Sequence, residues 1–221
     1  MKSNFEFLNR YWPVLAQLGA NAENYLYSDP NACIYKLGMF AERLVLEILV
    51  FEHMDEPKTD NTHANRIRLL KCVGLLPHEI DNTLYILRKT RNSAVHAGTD
   101  SVDEAKTLLS MTYNLAVWFM ETYGDWGFIA EDFVMPEEVH QADLKSVIEN
   151  QEKKIAELSK KLAQVTTAVS GTTQKERAKR AETVSSMMQW NEAQTRCLID
   201  EQLRKAGWEA DTINLRYSKG T

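Results

Sequence analysis

Apolar residues recur at three- and four-residue spacing through most of the first 140 positions, which is the signature of amphipathic helices packed around one core. Phe5, Leu8, Trp12, Leu15, Leu18, Ala22 and Tyr25 form the first such stripe. Pro13 interrupts it: either the helix kinks there, or it begins near Trp12 with Pro13 in its first turn, where a missing N–H costs nothing. Ser28-Asp29-Pro30 then marks a helix start, a capping side chain followed by proline. The stripe after it (Ile34, Leu37, Phe40, Ala41, Leu44, Val45, Ile48) predicts the central core helix, with Glu42, Arg43 and Glu47 off the stripe. His53 to Asn61 is polar, holds Pro57 and reads as a loop. A short helix is predicted over Asn65–Val73 and ends at Gly74. Pro77 opens another, with Ile80, Leu84 and Leu87 inward, which delivers Arg91 to His96 and ends at Gly98. Ser101 and Glu104 form a capping box that launches a helix through Leu108, Met111, Leu115, Trp118 and Phe119 to Tyr123. Asp125 to Pro136 shows no period; Trp126, Phe128 and Phe133 are expected to fold it back on the bundle.

From Leu144 the pattern changes. Leu144, Ile148, Gln151, Ile155, Leu158, Leu162, Val165 and Val169 alternate at spacings of four and three, an a/d seam with Gln151 as its polar, register-setting member. A coiled coil or helical hairpin is expected, because a lone helix would leave that seam wet. Ser170-Gly171-Thr172-Thr173 predicts a break. Lys175 begins a second polar helix running past Trp190, and Leu198, Ile199 and Leu203 add an apolar face before Ala206-Gly207.

Composition narrows the class. The 221 residues include only 9 Gly and 5 Pro, with 44% hydrophobic and 26% charged positions, which argues for an all-α globular protein rather than a loop-rich β architecture. The net charge of −5 is uneven: residues 1–140 hold 12 Lys and Arg against 20 Asp and Glu (−8), and residues 141–221 hold 14 against 11 (+3). The first part is no generic nucleic-acid binder; the second could touch phosphate weakly. Cys33, Cys72 and Cys197 are far apart and form no CxxC or Cys/His cluster, so a zinc site is not expected and free thiols are. The start of the chain shows no apolar signal-peptide core, and the longest apolar run, Leu115–Met120, is too short to span a bilayer, so the expectation is a cytoplasmic protein with no membrane partner.

One stretch could carry chemistry: Arg91-Asn92-Ser93-Ala94-Val95-His96. A histidine near neutral pKa can act as general acid or base. An arginine can hold a scissile phosphate, and an asparagine can orient the histidine. Such a set could cleave RNA without metal by activating the ribose 2′-hydroxyl, which DNA lacks. On a helix Asn92 and His96 share a face, whereas Arg91 and His96 are about 140° apart, so those two converge only at a helix end or with a second subunit. The bland alternatives are a helix-end role for His96, a backbone anchor for Asn92, and pairing of Arg91 with an acid on a neighbouring helix such as Glu42. The run Lys175–Arg180 reads first as a solvated face, and Trp118-Phe119 as core.

These residues resemble the R-N-x-x-x-H motif of HEPN domains, small all-α domains of toxins, RNases and defence proteins. Residues 1–140 are similar to the HEPN-like domain of unknown function of bacterial defence proteins, through Trp12-Pro13, Tyr25 to Asn31, Met39 to Glu42, Gly74 to Pro77 and Asn92 to His96. Glu192 to Arg196, Leu198 to Asp200, Leu203, Ala206 to Trp208 and Asn214 to Thr221 resemble the opening of the nuclease domain of type I restriction R (HsdR-like) subunits. The resemblance implies a HEPN-like helical bundle at 1–140, a coiled coil at 141–170, a second polar helix at 171–206 and the start of a truncated nuclease domain at 207–221. It implies an interaction and assembly module of an anti-phage restriction enzyme, with protein partners or self-association through the coiled coil and DNA met through the complex. No cofactor is expected in this segment: the Asp and (E/Q)-x-K set that binds Mg²⁺ and the Walker A sequence for ATP belong to domains downstream, as if the chain continued beyond Thr221. The alternative it implies is a metal-independent ribonuclease acting on RNA through Arg91, Asn92 and His96.

Overall fold

The computed structural model describes residues 2–57, 60–97, 101–138, 150–158 and 174–208, with backbone only for 95–97. Every regular element among them is helical, so the fold is all-α. Leu144, Ile148, Leu162, Val165, Val169, the break at 170–173, Gly98 and the positions from 209 onward lie outside the described residues.

The first stripe resolves into two pieces. A 3-10 turn, Glu6–Arg10, precedes helix α1, Pro13–Tyr25, which starts with its proline in the first turn instead of kinking there. Trp12 supplies the cap position and no side-chain cap. The 3-10 turn folds back so that the Phe5 ring lies on Gly19 of α1, where an added Cβ would stand 2.2 Å from the ring. Only a residue without a side chain allows that approach.

Helix α2, Pro30–Phe51, is the central element, as its apolar stripe requires. The Asp29 side chain accepts a hydrogen bond from the Ala32 N–H at 2.9 Å, and Pro30 occupies the first helical position. α2 lies against α1, α3 (His63–Cys72), α4 (His78–Ala97) and α5 (Val102–Phe119). Gly74, at φ +75°, ends α3. The Ser101 hydroxyl caps α5 by accepting from Glu104 N–H. At Met120–Gly124 the helix widens into a π turn, and the chain leaves it at Asp125.

The segment 125–138 straps the bundle with its aromatic residues. Phe128 stacks on Phe7 at 4.9 Å, Phe133 packs on Tyr113 at 5.3 Å, and the Tyr113 hydroxyl donates to the Glu131 carbonyl. Phe5, Phe40, Trp118 and Phe119 are fully buried in the core beneath; large aromatic side chains contribute about 2–3 kcal/mol each on burial.

Residues 150–158 are helical (α6), and one face of them rests on the bundle. The long polar helix expected after Lys175 is two helices, α7 (Gln174–Met187) and α8 (Glu192–Lys205). The break falls where no glycine or proline signals it. Asn191 and Gln194 instead form a reciprocal capping box that starts α8. α7 packs on the π turn and α5, α8 on α4 and α5, and Ala181, Val184 and Leu198 join the core. Gly207, at φ +87°, ends α8 in a Schellman turn: Trp208 N–H reaches Leu203 O and Gly207 N–H reaches Arg204 O, both at 3.0 Å.

Candidate functional site

Arg91 points toward α2. Its Nη1 donates to Glu42 Oε2 at 2.7 Å, and its guanidinium carbon stands 5.2 Å from the Tyr35 ring centroid. The aliphatic stem of Arg91 lies over Gly38, where a Cβ would fall 2.3 Å from Arg91 Cδ. Gly38 therefore sets how closely α2 and α4 approach, and that approach places the guanidinium on Glu42. Arg66 of α3 also binds Glu42, at 3.2 Å, and its Nε donates to Glu56 at 2.6 Å. The result is a chain of alternating charge, Glu56–Arg66–Glu42–Arg91, tying three helices together.

Burial pushes the Glu42 carboxyl up. The hydrogen bond and charge of Arg91, with His63 and Arg66, more than offset that and hold it below the usual carboxylate range. His63, in the first turn of α3, sits beside this chain. It is buried, and neither ring nitrogen has a hydrogen-bond partner. Burial lowers its pKa to about 4; Glu42 opposes the shift, and Arg88, Arg91 and Arg66 add to it. The imidazole is neutral at pH 7 and marks the spot where three arginines converge. The sequence pattern gave no hint of it, since His63 stands outside any motif.

Of the motif residues, then, Arg91 has its charge neutralised by Glu42 and its face on Tyr35. Asn92 is exposed on α4. His96 lies one turn after Asn92 within α4, which runs to Ala97, and its side chain is outside the described residues. A shallow cavity of about 200 Å³ opens beside Arg91, lined by Leu18, Tyr35, Met39, Glu42 and Ile155 among others. Among the described residues no group of three or more His, Cys, Asp or Glu side chains is placed to hold a metal ion. No described helix is long and apolar enough to cross a membrane.

The seam positions of α6 turn inward: Gln151 accepts from Asn24 Nδ2 at 2.7 Å, and Ile155 and Leu158 pack against the core. Glu152 beside them holds Lys36 at 2.9 Å and Tyr25 at 3.2 Å. Arg177 of α7 is buried against Glu52 at the end of α2. Its Nε and Nη2 donate to the two carboxylate oxygens at 2.6 and 3.1 Å. One member of the charged run 175–180 is thus an interior ion pair, and Arg180 next to it donates to the carbonyls of Glu121 and Trp126.

No known family profile matches this chain, and neither does any solved structure. A similarity does extend along nearly all of it: the chain is 29% identical, over an alignment 273 positions long, to the type I restriction enzyme EcoKI endonuclease subunit of Escherichia coli strain K12, a match that takes in 99% of this chain and spans 23% of that protein's length.

Proposed function

We propose that the chain is an interaction and assembly module at the N-terminal side of a type I restriction R subunit, serving anti-phage DNA restriction without itself holding a nuclease or ATPase site. One observation carries the reading: the likeness to an endonuclease subunit runs through 99% of this chain while using 23% of that protein. A helical bundle braced by internal ion pairs suits a scaffold whose surface is read by other proteins. The heptad positions on either side of the stretch that rests on the bundle, Leu144 and Ile148 before it and Leu162, Val165 and Val169 after it, would supply a face for a partner subunit or a second copy. Mg²⁺ and ATP would serve domains other than this one.

The test is assembly mass. Leu162→Lys and Val165→Lys together put two charges into the seam, where a coiled coil tolerates them poorly. They avoid Ile155, which rests on the chain's own bundle. The protein in its full-length context, co-expressed with the other subunits of its enzyme, is measured by light scattering after size exclusion. The expected result is a fall from the mass of the complex to that of the isolated subunit, and an unchanged mass would refute the reading.

A further inference from the structure

The α4–α8 face carries a group of cations that the assembly reading does not use. Three of them converge on one ring. Arg88 Cζ, Lys89 Nζ and Lys205 Nζ stand 5.1, 5.9 and 4.5 Å from the Tyr85 ring centroid. A fourth, Arg204, joins through Glu201, whose carboxylate lies 3.5 Å from it and 3.6 Å from Lys89. Glu201 is 2% exposed, so it serves as an interior counter-charge and presents nothing to solvent. Asn82, itself buried, accepts from Lys205 Nζ at 3.1 Å and fixes that side chain in place. His78 and Gln202 extend the same polar strip. Even counting Asp200 beside Glu201 in sequence, the group keeps two surplus positive charges, on a chain whose net charge is −5.

We infer that this face is a contact surface for the phosphate backbone of duplex DNA. Four considerations select that partner. The cations stand on the adjoining helices α4 and α8 with solvent-accessible side chains, where an isolated anion gains little; a polyanion gains through release of its counterions. A protein partner would need apolar anchors at the centre of the patch. Of the exposed apolar residues of α8, Leu203 is about 160° around the helix from both Glu201 and Lys205, and Ile199 about 160° from Glu201 and about 120° from Lys205, so both face away from the patch. A single strand would need a bare aromatic face for base stacking. Tyr85 is half-buried and covered by cations instead. Backbone contact asks only for exposed donors of positive charge, and Lys89, Arg204 and Lys205 are exposed. The inference stands independently of the assembly role.

The test uses the full chain and a fluorescein-labelled mixed-sequence duplex, read by anisotropy across a salt series. Four phosphate contacts give a slope of about −3.6 in log K against log salt, so that affinity falls about 150-fold between about 50 and 200 mM salt. Arg88→Gln/Lys89→Gln/Lys205→Gln should flatten the slope to about −0.9, while Lys153→Gln/Lys154→Gln on the exposed side of α6 should leave it unchanged. Circular dichroism checks the fold of the triple variant; if it is lost, Lys89→Gln alone, at a half-exposed side chain, should shift the slope by about 0.9. Absence of duplex binding, an unchanged slope in the α4–α8 variants, an equal loss in the α6 control, tighter binding to a single strand, or equal binding to polyglutamate would each overturn the inference.

Discussion

Replacing Arg177 by Ala should undock α7 before it unfolds the bundle. In the intact chain two charge-assisted hydrogen bonds, at 2.6 and 3.1 Å, join Arg177 to a Glu52 side chain with no exposure at all. Removing one partner of such a pair leaves an uncompensated buried charge, which costs about 3–5 kcal/mol, or roughly two to three and a half powers of ten in an equilibrium. That cost has a ceiling. α7 is held besides by Ala181, Val184, the Trp118 Nε1 bond to the Ala181 carbonyl at 3.1 Å, and Ser185 on Glu79 at 3.0 Å. If these are worth less than the stranded carboxylate costs, α7 leaves and Glu52 regains water. The loss is then a local opening and not a global one. Hydrogen exchange read by mass spectrometry separates the two. Peptides covering α7 should lose protection in Arg177→Ala, while peptides from α2 and α5 keep theirs and the urea midpoint of the bundle moves little. Glu52→Gln/Arg177→Met, which removes both charges, should restore much of the α7 protection. If Arg177→Ala exchanges like the parent across α7, the ion pair is not what holds this helix and the reasoning fails.

Gly38→Ala should cost about 1–3 kcal/mol, because the new Cβ meets the Arg91 stem and must move α4 or the guanidinium off Glu42; thermal melting reads it. His63 binds a proton more readily unfolded (near 6.5) than folded (about 4), so the unfolded state holds more protons between those values. Stability is therefore complete above about pH 6.5 and falls by up to about 1.4 kcal/mol per pH unit toward pH 4, and His63→Leu should flatten that part of the urea-midpoint curve. Ser101→Ala should lower stability by about 1 kcal/mol through the lost cap of α5. With Arg91 engaged by Glu42 and Tyr35, RNA incubated with the chain in EDTA should stay intact; cleavage that His96→Ala abolishes would instead establish the ribonuclease alternative.

Local chemistry was what the sequence made legible. Asp29 before Pro30, Gly74 at positive φ and Ser101 before Glu104 announce helix ends through groups that act within three or four residues, and each stands where its chemistry demands. The Arg91–Glu42 pair is legible for a related reason: Arg91 continues the apolar stripe of α4 by one turn and Glu42 lies just off that of α2, and those two stripes must face each other across the core. Contacts set by tertiary packing were not legible. Within Lys175–Arg180 nothing local distinguishes Arg177, which is buried, from its neighbours, and only the position of Glu52 at the end of α2 singles it out. The start of α8 at Asn191 was hidden because an asparagine cap needs no glycine or proline to stop the preceding helix. His63 and Tyr85 carry no local signal because their roles come from side chains gathered off several helices.

The inward-facing stretch of the heptad seam has a consequence for how this chain would meet another. Gln151, Ile155 and Leu158 are the residues a partner helix would need, and α1 and the core already occupy them. Pairing along this part of the seam is therefore an exchange: an incoming helix gains the apolar strip only as the bundle gives it up. The bundle acts as a tethered competitor, present at a high effective concentration and with nothing to lose by dilution. The net drive to associate is the difference between two similar burials. Changes that loosen the inner contact, such as Asn24→Ala or Lys36→Gln, would strengthen association without touching the outer partner at all.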